Sequence, residues 1–170
     1  MIVDMSESYK ELMVTKEKGT KEAVERISCI VAVVLLGLAT LFSANMLFFI
    51  ATVALGVLTY FVFQWTDIEY EYLYLDKEIT IDKVMAKARR KRAAVLDVNK
   101  IEIMAPKGSS QLEYHKNRQV KIVDLSAGHD LPGQKLYAVY YEGSQMFLLN
   151  LDEDFVKTVK MVAPRHVFME

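Results

Sequence analysis

Residues 27–66 read ISCIVAVVLLGLATLFSANMLFFIATVALGVLTYFVFQWT, without a single charged side chain. As one continuous helix, at 1.5 Å rise per residue, this run would extend about 60 Å. That is twice the hydrocarbon core of a bilayer, which is about 30 Å thick. Its most polar point, Ser43-Ala44-Asn45, lies near the middle, where small and turn-prone side chains suit a chain reversal. The stretch therefore predicts a transmembrane helical hairpin with spans at 27–42 and 46–63. No Asp, Glu, Lys, Arg or His lies within the spans, which argues against a transporter acting alone, since ion and proton pathways are built from such residues. Ser28 with Ala32, Ala39 with Ser43, and Thr52 with Gly56 are spaced four apart, placing pairs of small residues on one helical face for close packing.

The flanks set an expected orientation. Lys16, Lys18, Lys21 and Arg26 precede the first span, Lys77 and Lys83 follow the second, and the reversal carries no charge. By the positive-inside rule both termini are expected in the cytoplasm, giving a multi-pass protein of the cell membrane. Trp65, at the exit of the second span near Tyr60, is the expected interfacial anchor. The long polar segment before the run, and the run's double length, do not fit a cleaved signal peptide. Cys29 precedes the apolar region instead of following it, so it reads as a buried free thiol and not a lipoprotein cysteine.

Residues 1–26 form a cytoplasmic N-terminal segment in this reading. Met5, Tyr9, Leu12 and Met13 recur at helical spacing, with Asp4 or Ser6 available as N-cap and Gly19-Thr20 as a break. The segment is expected to be a short amphipathic helix docked on the cytoplasmic domain, or partly disordered. Its five basic and six acidic residues give little attraction to a membrane surface.

Over all 170 residues, 21 Lys and Arg balance 22 Asp and Glu, a net charge of −1. A nucleic-acid binder normally carries a basic surplus, so none is expected as partner. One cysteine and three scattered histidines exclude a disulfide scaffold and a recognisable zinc spacing.

Residues 67–170 are enough for one modest core. Tyr70, Tyr72 and Tyr74 alternate along one strand, Asp76-Lys77 turns, and Ile79 and Ile81 alternate along the next. An aromatic strand face of this kind packs a sheet more readily than it stacks a ligand. Further strands are expected at 93–96, 101–104, 120–125, 135–141 and 145–149, with a turn at Glu142-Gly143-Ser144. Asp152, Glu153 and Asp154 open a helix bearing Phe155, Val159 and Val162, which Pro164 stops. Six or seven strands and one closing helix result.

The order of two spans, the hairpin EYEYLYLDKEITID, the segment KARRKR leading to VLDVNKIE, a Tyr-rich hairpin and the final LDEDFVKTVKMVAPRHV resembles small bacterial membrane proteins with a pleckstrin-homology-like (PH-like) domain. The resemblance covers nearly the whole chain. It implies an α+β membrane protein in which the helical hairpin is followed by a PH-like antiparallel β-sandwich or partly open barrel with a C-terminal capping helix. The implied role is a binding or scaffolding module, with no cofactor.

Lys87, Arg89, Arg90, Lys91 and Arg92 form the densest charge cluster, with no acidic residue between Lys83 and Asp97. Such a run attracts the anionic lipid of a cytoplasmic leaflet, or is simply solvated and paired with nearby carboxylates. In a strand, Arg90 and Arg92 would face away from Arg89 and Lys91. No GxSxG, HExxH or GxGxxG occurs, Lys107-Gly108-Ser109-Ser110 lacks the full phosphate-loop spacing, and catalysis and bound metal are not expected. The expected partners are the lipid bilayer and either anionic lipid or a membrane or cytoplasmic protein. Two roles stay open: a membrane-anchored binding module, and an accessory subunit of a transport or envelope-assembly complex.

Overall fold

The computed structural model describes residues 9–16, 19–43 and 45–170. Two units are present. One holds the strands, apart from the tip of one hairpin, and a C-terminal helix; the other holds two long helices together with residues 85–89.

The helical unit consists of α1 (Thr20–Ser43) and α2 (Met46–Thr66). Both are long and apolar enough to cross a membrane, over Lys21–Ser43 and Met46–Trp65. Asn45 caps α2, its side-chain oxygen accepting from the Leu47 amide at 2.9 Å. The reversal thus falls where the sequence placed it, although Ala44 itself lies outside the described residues. Half-buried positions recur at three and four residues along both helices, Cys29, Val33, Leu36, Gly37 and Thr40 on α1 and Thr52, Leu55, Thr59 and Val62 on α2. At the seam the Thr40 and Thr52 hydroxyls lie 3.0 Å apart, while each also donates to the carbonyl four residues earlier. Of the small-residue pairs expected to pack the helices, Thr52 makes this contact, while Ser28 and Ser43 bond within their own helix to Glu25 and Ala39. Leu35, Leu41, Phe42, Leu47, Phe49 and Leu58 are all more than half exposed.

In the other unit one sheet runs in the order β1 (Lys10–Thr15), β2 (Ile68–Leu75), β3 (Glu78–Met85), β4 (Arg89–Asp97). The second runs β5 (Ile101–Pro106), β7 (Gln134–Tyr141), β8 (Gln145–Asp152), β6 (Lys121–Asp124). The β5–β7 and β7–β8 ladders are antiparallel, whereas β6 runs parallel to β8. The antiparallel expectation holds for the other ladders and is corrected at this one: β7 runs opposite to β6 and the β7–β8 hairpin reverses the chain again, so β8 travels in the direction of β6.

The N-terminal expectation is corrected as well. Residues 10–15 are a strand, paired antiparallel with β2 from Lys10 opposite Tyr74 to Thr15 opposite Glu69. Val14 is buried and Leu12 half-buried, while Glu11, Met13 and Thr15 are exposed, a period of two. Met13, read as part of a helical stripe, is 51% exposed. The strand therefore belongs to the domain expected at 67–170. Met5, Asp4, Ser6 and Lys18 lie outside the described residues.

Three two-residue turns, Asp76-Lys77, Ala86-Lys87 and Glu142-Gly143, have both central residues at positive φ, the type I′ geometry that matches strand twist. The core is filled by Tyr70, Tyr72 and Tyr74 of β2, Ile79, Ile81 and Val84 of β3, and Val139, Leu149 and Leu151 of the second sheet. The Tyr72 hydroxyl donates to the Leu125 carbonyl at 2.5 Å and accepts from the Asn150 amide at 3.4 Å, satisfying a polar tip in the interior. From Leu136 to Tyr141 β7 is buried on both faces, because Leu112 and Phe168 cover the outer one beside Leu136, Ala138 and Tyr140.

The closing helix, α3 (Glu153–Val162), is capped by Asp152, which accepts from the Phe155 amide at 2.7 Å. Phe155, Val156 and Val159 are buried, whereas Val162 is only half-buried; the apolar stripe starts one residue tighter than expected. Phe155 meets Tyr74 edge to face, with centroids 6.3 Å apart. This is the α+β fold anticipated from the sequence.

Candidate functional site

The basic segment divides between a turn and a strand. Lys87 occupies the tip of the β3–β4 hairpin at φ 56°, closed by the Ala88 amide donating to Met85 at 3.1 Å. Its neighbour Ala86 is also left-handed, at φ 49°. An alanine gains nothing from that conformation, which costs an L-residue about 1–2 kcal/mol. The Ala86 amide, however, donates to the carbonyl of Asp67 at 2.8 Å, so the tip is fastened to the residue that follows α2.

Arg89, Arg90, Lys91 and Arg92 lie at the start of β4, all exposed. The alternation separates them. Arg90 Nη1 is 3.1 Å from Glu71 Oε2 and Arg92 Nε is 3.5 Å from Asp82 Oδ1. Lys87, Arg89 and Lys91 have no carboxylate partner among the described residues. The run of five is thus two arginines paired with carboxylates and three cations without such a partner among the described residues.

Glu71 is 9% exposed, so its carboxylate is shielded from water by the β1 edge and by Arg90. Burial pushes its pKa up, Glu11 on β1 adds to the rise, and Arg90 opposes it. Glu11 shifts the other way, held down chiefly by the hydrogen bond from the Tyr9 hydroxyl at 2.7 Å. Strand alternation alone puts Glu71 on the side opposite the tyrosines, and its burial follows from β1, which sequence periodicity had made a helix.

At the juxtaposed ends of the two helices, Arg26 of α1 donates from Nη2 to the Phe63 carbonyl of α2 at 3.2 Å and lies over the Phe63 ring at 4.8 Å. Such a cation–π contact favours a guanidinium over an aromatic face. Sequence reading missed this pairing, having counted Arg26 only among the flanking charges; the steps of three and four residues from Arg26 through Cys29 and Val33 to Leu36 and Gly37, all half-buried, were the available sign that it shares the inner face. Trp65 is 66% exposed, one turn beyond Phe61, against which its ring tilts at 6.3 Å. The hairpin tip was missed too, since Ala-Lys lacks the Asn or Gly that announces a type I′ turn.

The three histidines remain apart. His115 packs on Tyr140 at 5.1 Å, His129 offers its carbonyl to Asn150 at 2.7 Å, and His166 Nδ1 lies 2.8 Å from the Glu102 carbonyl. Asn150, fully buried, also accepts from the Ala127 amide at 2.7 Å, so it organises the loop before β7.

No curated protein and no solved structure matches the chain. A family model described as bacterial PH-like domain (DUF6106) matches residues 6–169 and so takes in β1, both long helices and every later strand and helix. With two long apolar helices inserted between the first and second strands of a PH-like domain, the chain belongs to the bacterial PH-like domain (DUF6106) family.

Proposed function

We propose that the chain is a membrane-anchored, non-enzymatic binding module: α1 and α2 cross the cell membrane with both flanks in the cytoplasm, and the hairpin tip with the start of β4 contacts the anionic lipid of that leaflet. The observation that carries this reading is the bond from the Ala86 amide to the Asp67 carbonyl. It ties Lys87 to the end of α2, next to Trp65, where a spanning helix leaves the hydrocarbon. Lys87, Arg89 and Lys91, each without a carboxylate partner among the described residues, then lie within reach of the headgroups. Each basic residue near such a surface contributes about 1 kcal/mol. Arg90 and Arg92, paired on the sheet, contribute less. The exposed apolar flanks of both helices and the β1–β2 ladder, which requires the chain to return to the side it started from, support the topology. The module acts by placement.

The test uses the full chain in nanodiscs of phosphatidylcholine with and without phosphatidylglycerol. Amide hydrogen exchange over 85–92 should slow with the anionic lipid. The slowing should fade with salt and be absent from the triple variant Lys87→Gln, Arg89→Gln, Lys91→Gln. Equal exchange in both bilayers would reject lipid contact and turn the search to a protein partner. A reporter fused after Glu170 should be active only in the cytoplasm, and activity on the opposite side would overturn the orientation.

A further inference from the structure

The outer face of the first sheet carries charged groups from all four of its strands. β1 brings Glu11, whose carboxylate accepts from the Tyr9 hydroxyl at 2.7 Å, β2 brings Glu71, β3 brings Asp82, and β4 brings Arg90 and Arg92. The β1–β2 register sets Glu71 opposite Met13 and Leu73 opposite Glu11, so the two glutamates are diagonal neighbours on one face. Three acids therefore stand with two arginines. They differ in burial: the side chain of Glu71 is 11% exposed and that of Asp82 25%, while Glu11 lies open to solvent.

A face with more acids than cations accommodates a proton most easily, and the carboxyl with least access to water is the one that takes it. Here that is Glu71. Its Oε2 makes no hydrogen bond and has Arg90 Nη1 at 3.1 Å as its cation. Burial raises its pKa, with Glu11 adding to the rise, Arg90 opposing it and the charge of Asp82 adding a smaller part. Once Glu71 takes up a proton, the attraction that holds Arg90 against the sheet is gone. The Arg90 side chain is already 65% exposed, and in the chain it lies between Arg89 and Lys91, which have no carboxylate partner among the described residues. Arg92 stays paired with Asp82 at 3.5 Å.

We propose that the Glu71–Arg90 pair is a proton-controlled switch on the membrane contact: protonation of the Glu71 carboxylate frees the Arg90 guanidinium to join Lys87, Arg89 and Lys91 on anionic lipid. The contact therefore strengthens as pH falls. The inference rests on the reading that this segment meets an anionic leaflet, and it adds the control of that contact. Linkage makes the effect reciprocal: a lipid phosphate that draws Arg90 away leaves Glu71 buried without its cation, which favours the protonated acid.

The test uses the full chain in nanodiscs of phosphatidylcholine with and without phosphatidylglycerol, both doped with a lipid whose headgroup chelates gadolinium. Paramagnetic broadening of the amides of residues 89–92 reads the contact. The part of it that depends on phosphatidylglycerol should grow about fivefold from neutral pH towards 4.5, the ordinary value of a glutamate, which is the effect of one more basic residue near the surface. Glu71→Gln, which fixes the uncharged form, should show the strong contact already at neutral pH and no pH dependence. Arg90→Gln should lose the pH dependence and keep the weaker contact. A contact that needs phosphatidylglycerol but ignores pH, or a pH dependence that survives in either variant, would overturn this inference and leave the lipid contact standing. Broadening that is the same with and without phosphatidylglycerol at every pH would remove both.

Discussion

Arg90 Nη1 stands 3.1 Å from Glu71 Oε2 across the outer face of the first sheet, yet the contact is an ion pair without the alignment of a hydrogen bond, and Glu71 is the one buried acid among the described residues. Its pKa is raised above the ordinary 4.5, first by burial. A raised acid binds its proton more tightly folded than unfolded, so the domain loses stability as pH climbs from about 4.5 through the shifted value. Thermal unfolding followed against pH should show this decline, and Glu71→Gln should flatten it. Arg90→Ala should steepen it and cost about 1–3 kcal/mol at neutral pH, because it leaves a buried carboxylate without its cation.

Tyr72→Phe removes the hydroxyl that reaches Leu125 and Asn150 and leaves the rest of the ring in place. The expected cost is about 1–2 kcal/mol in chemical denaturation. Hydrogen exchange at the Asn150 amide should accelerate more than at Leu149, which keeps its ladder partner Tyr137.

Phe155→Ala should be among the most damaging single changes, about 3–5 kcal/mol, since the ring is fully buried against Tyr74. Asp152→Ala, which removes only the cap of α3, should cost about 1 kcal/mol. The two losses, compared in one denaturation series, separate the helix's packing from its initiation.

In the helical unit, Thr40→Ala and Thr52→Ala should each weaken helix association slightly, and a double-mutant cycle should return a coupling of about 0.6 kcal/mol. Gly37→Leu should do more, because the position of its Cβ already lies 4.0 Å from the Thr52 methyl. Thermal loss of helicity of the full chain in detergent would read both effects.

Most of the architecture was legible because its signals were strong and local. An uncharged run of double length with Asn45 near its middle permits little besides a hairpin, and the Tyr70-Tyr72-Tyr74 alternation permits little besides a strand. The acids at 152–154 ahead of Phe155 mark the start of a helix. Three features escaped for physical reasons. Leu12 and Val14 carry a period of two over only six residues, too short to outweigh the accidental helical spacing of Tyr9, Leu12 and Met13, and their partner strand lies beyond both long helices. Ala86-Lys87 makes a left-handed turn without the residues that prefer one, held instead by Asp67. The parallel β6–β8 ladder depends on where the chain goes between Leu125 and Gln134, and nothing in the four residues of β6 encodes direction. Of the basic cluster, the division into two faces was legible from strand geometry, but which face would meet Glu71 and Asp82 was not.

The β1–β2 ladder joins a strand made before α1 to one made after α2. During synthesis β1 therefore waits without a partner until both helices have left the ribosome. If only one of them entered a bilayer, the two strands would be held on opposite sides and the sheet would lack its edge. In a membrane the ladder would then serve as a check on insertion: a chain with the wrong number of crossings leaves the edge of β2 from Glu69 to Tyr74 without its partner, an unpaired strand open to association with other chains.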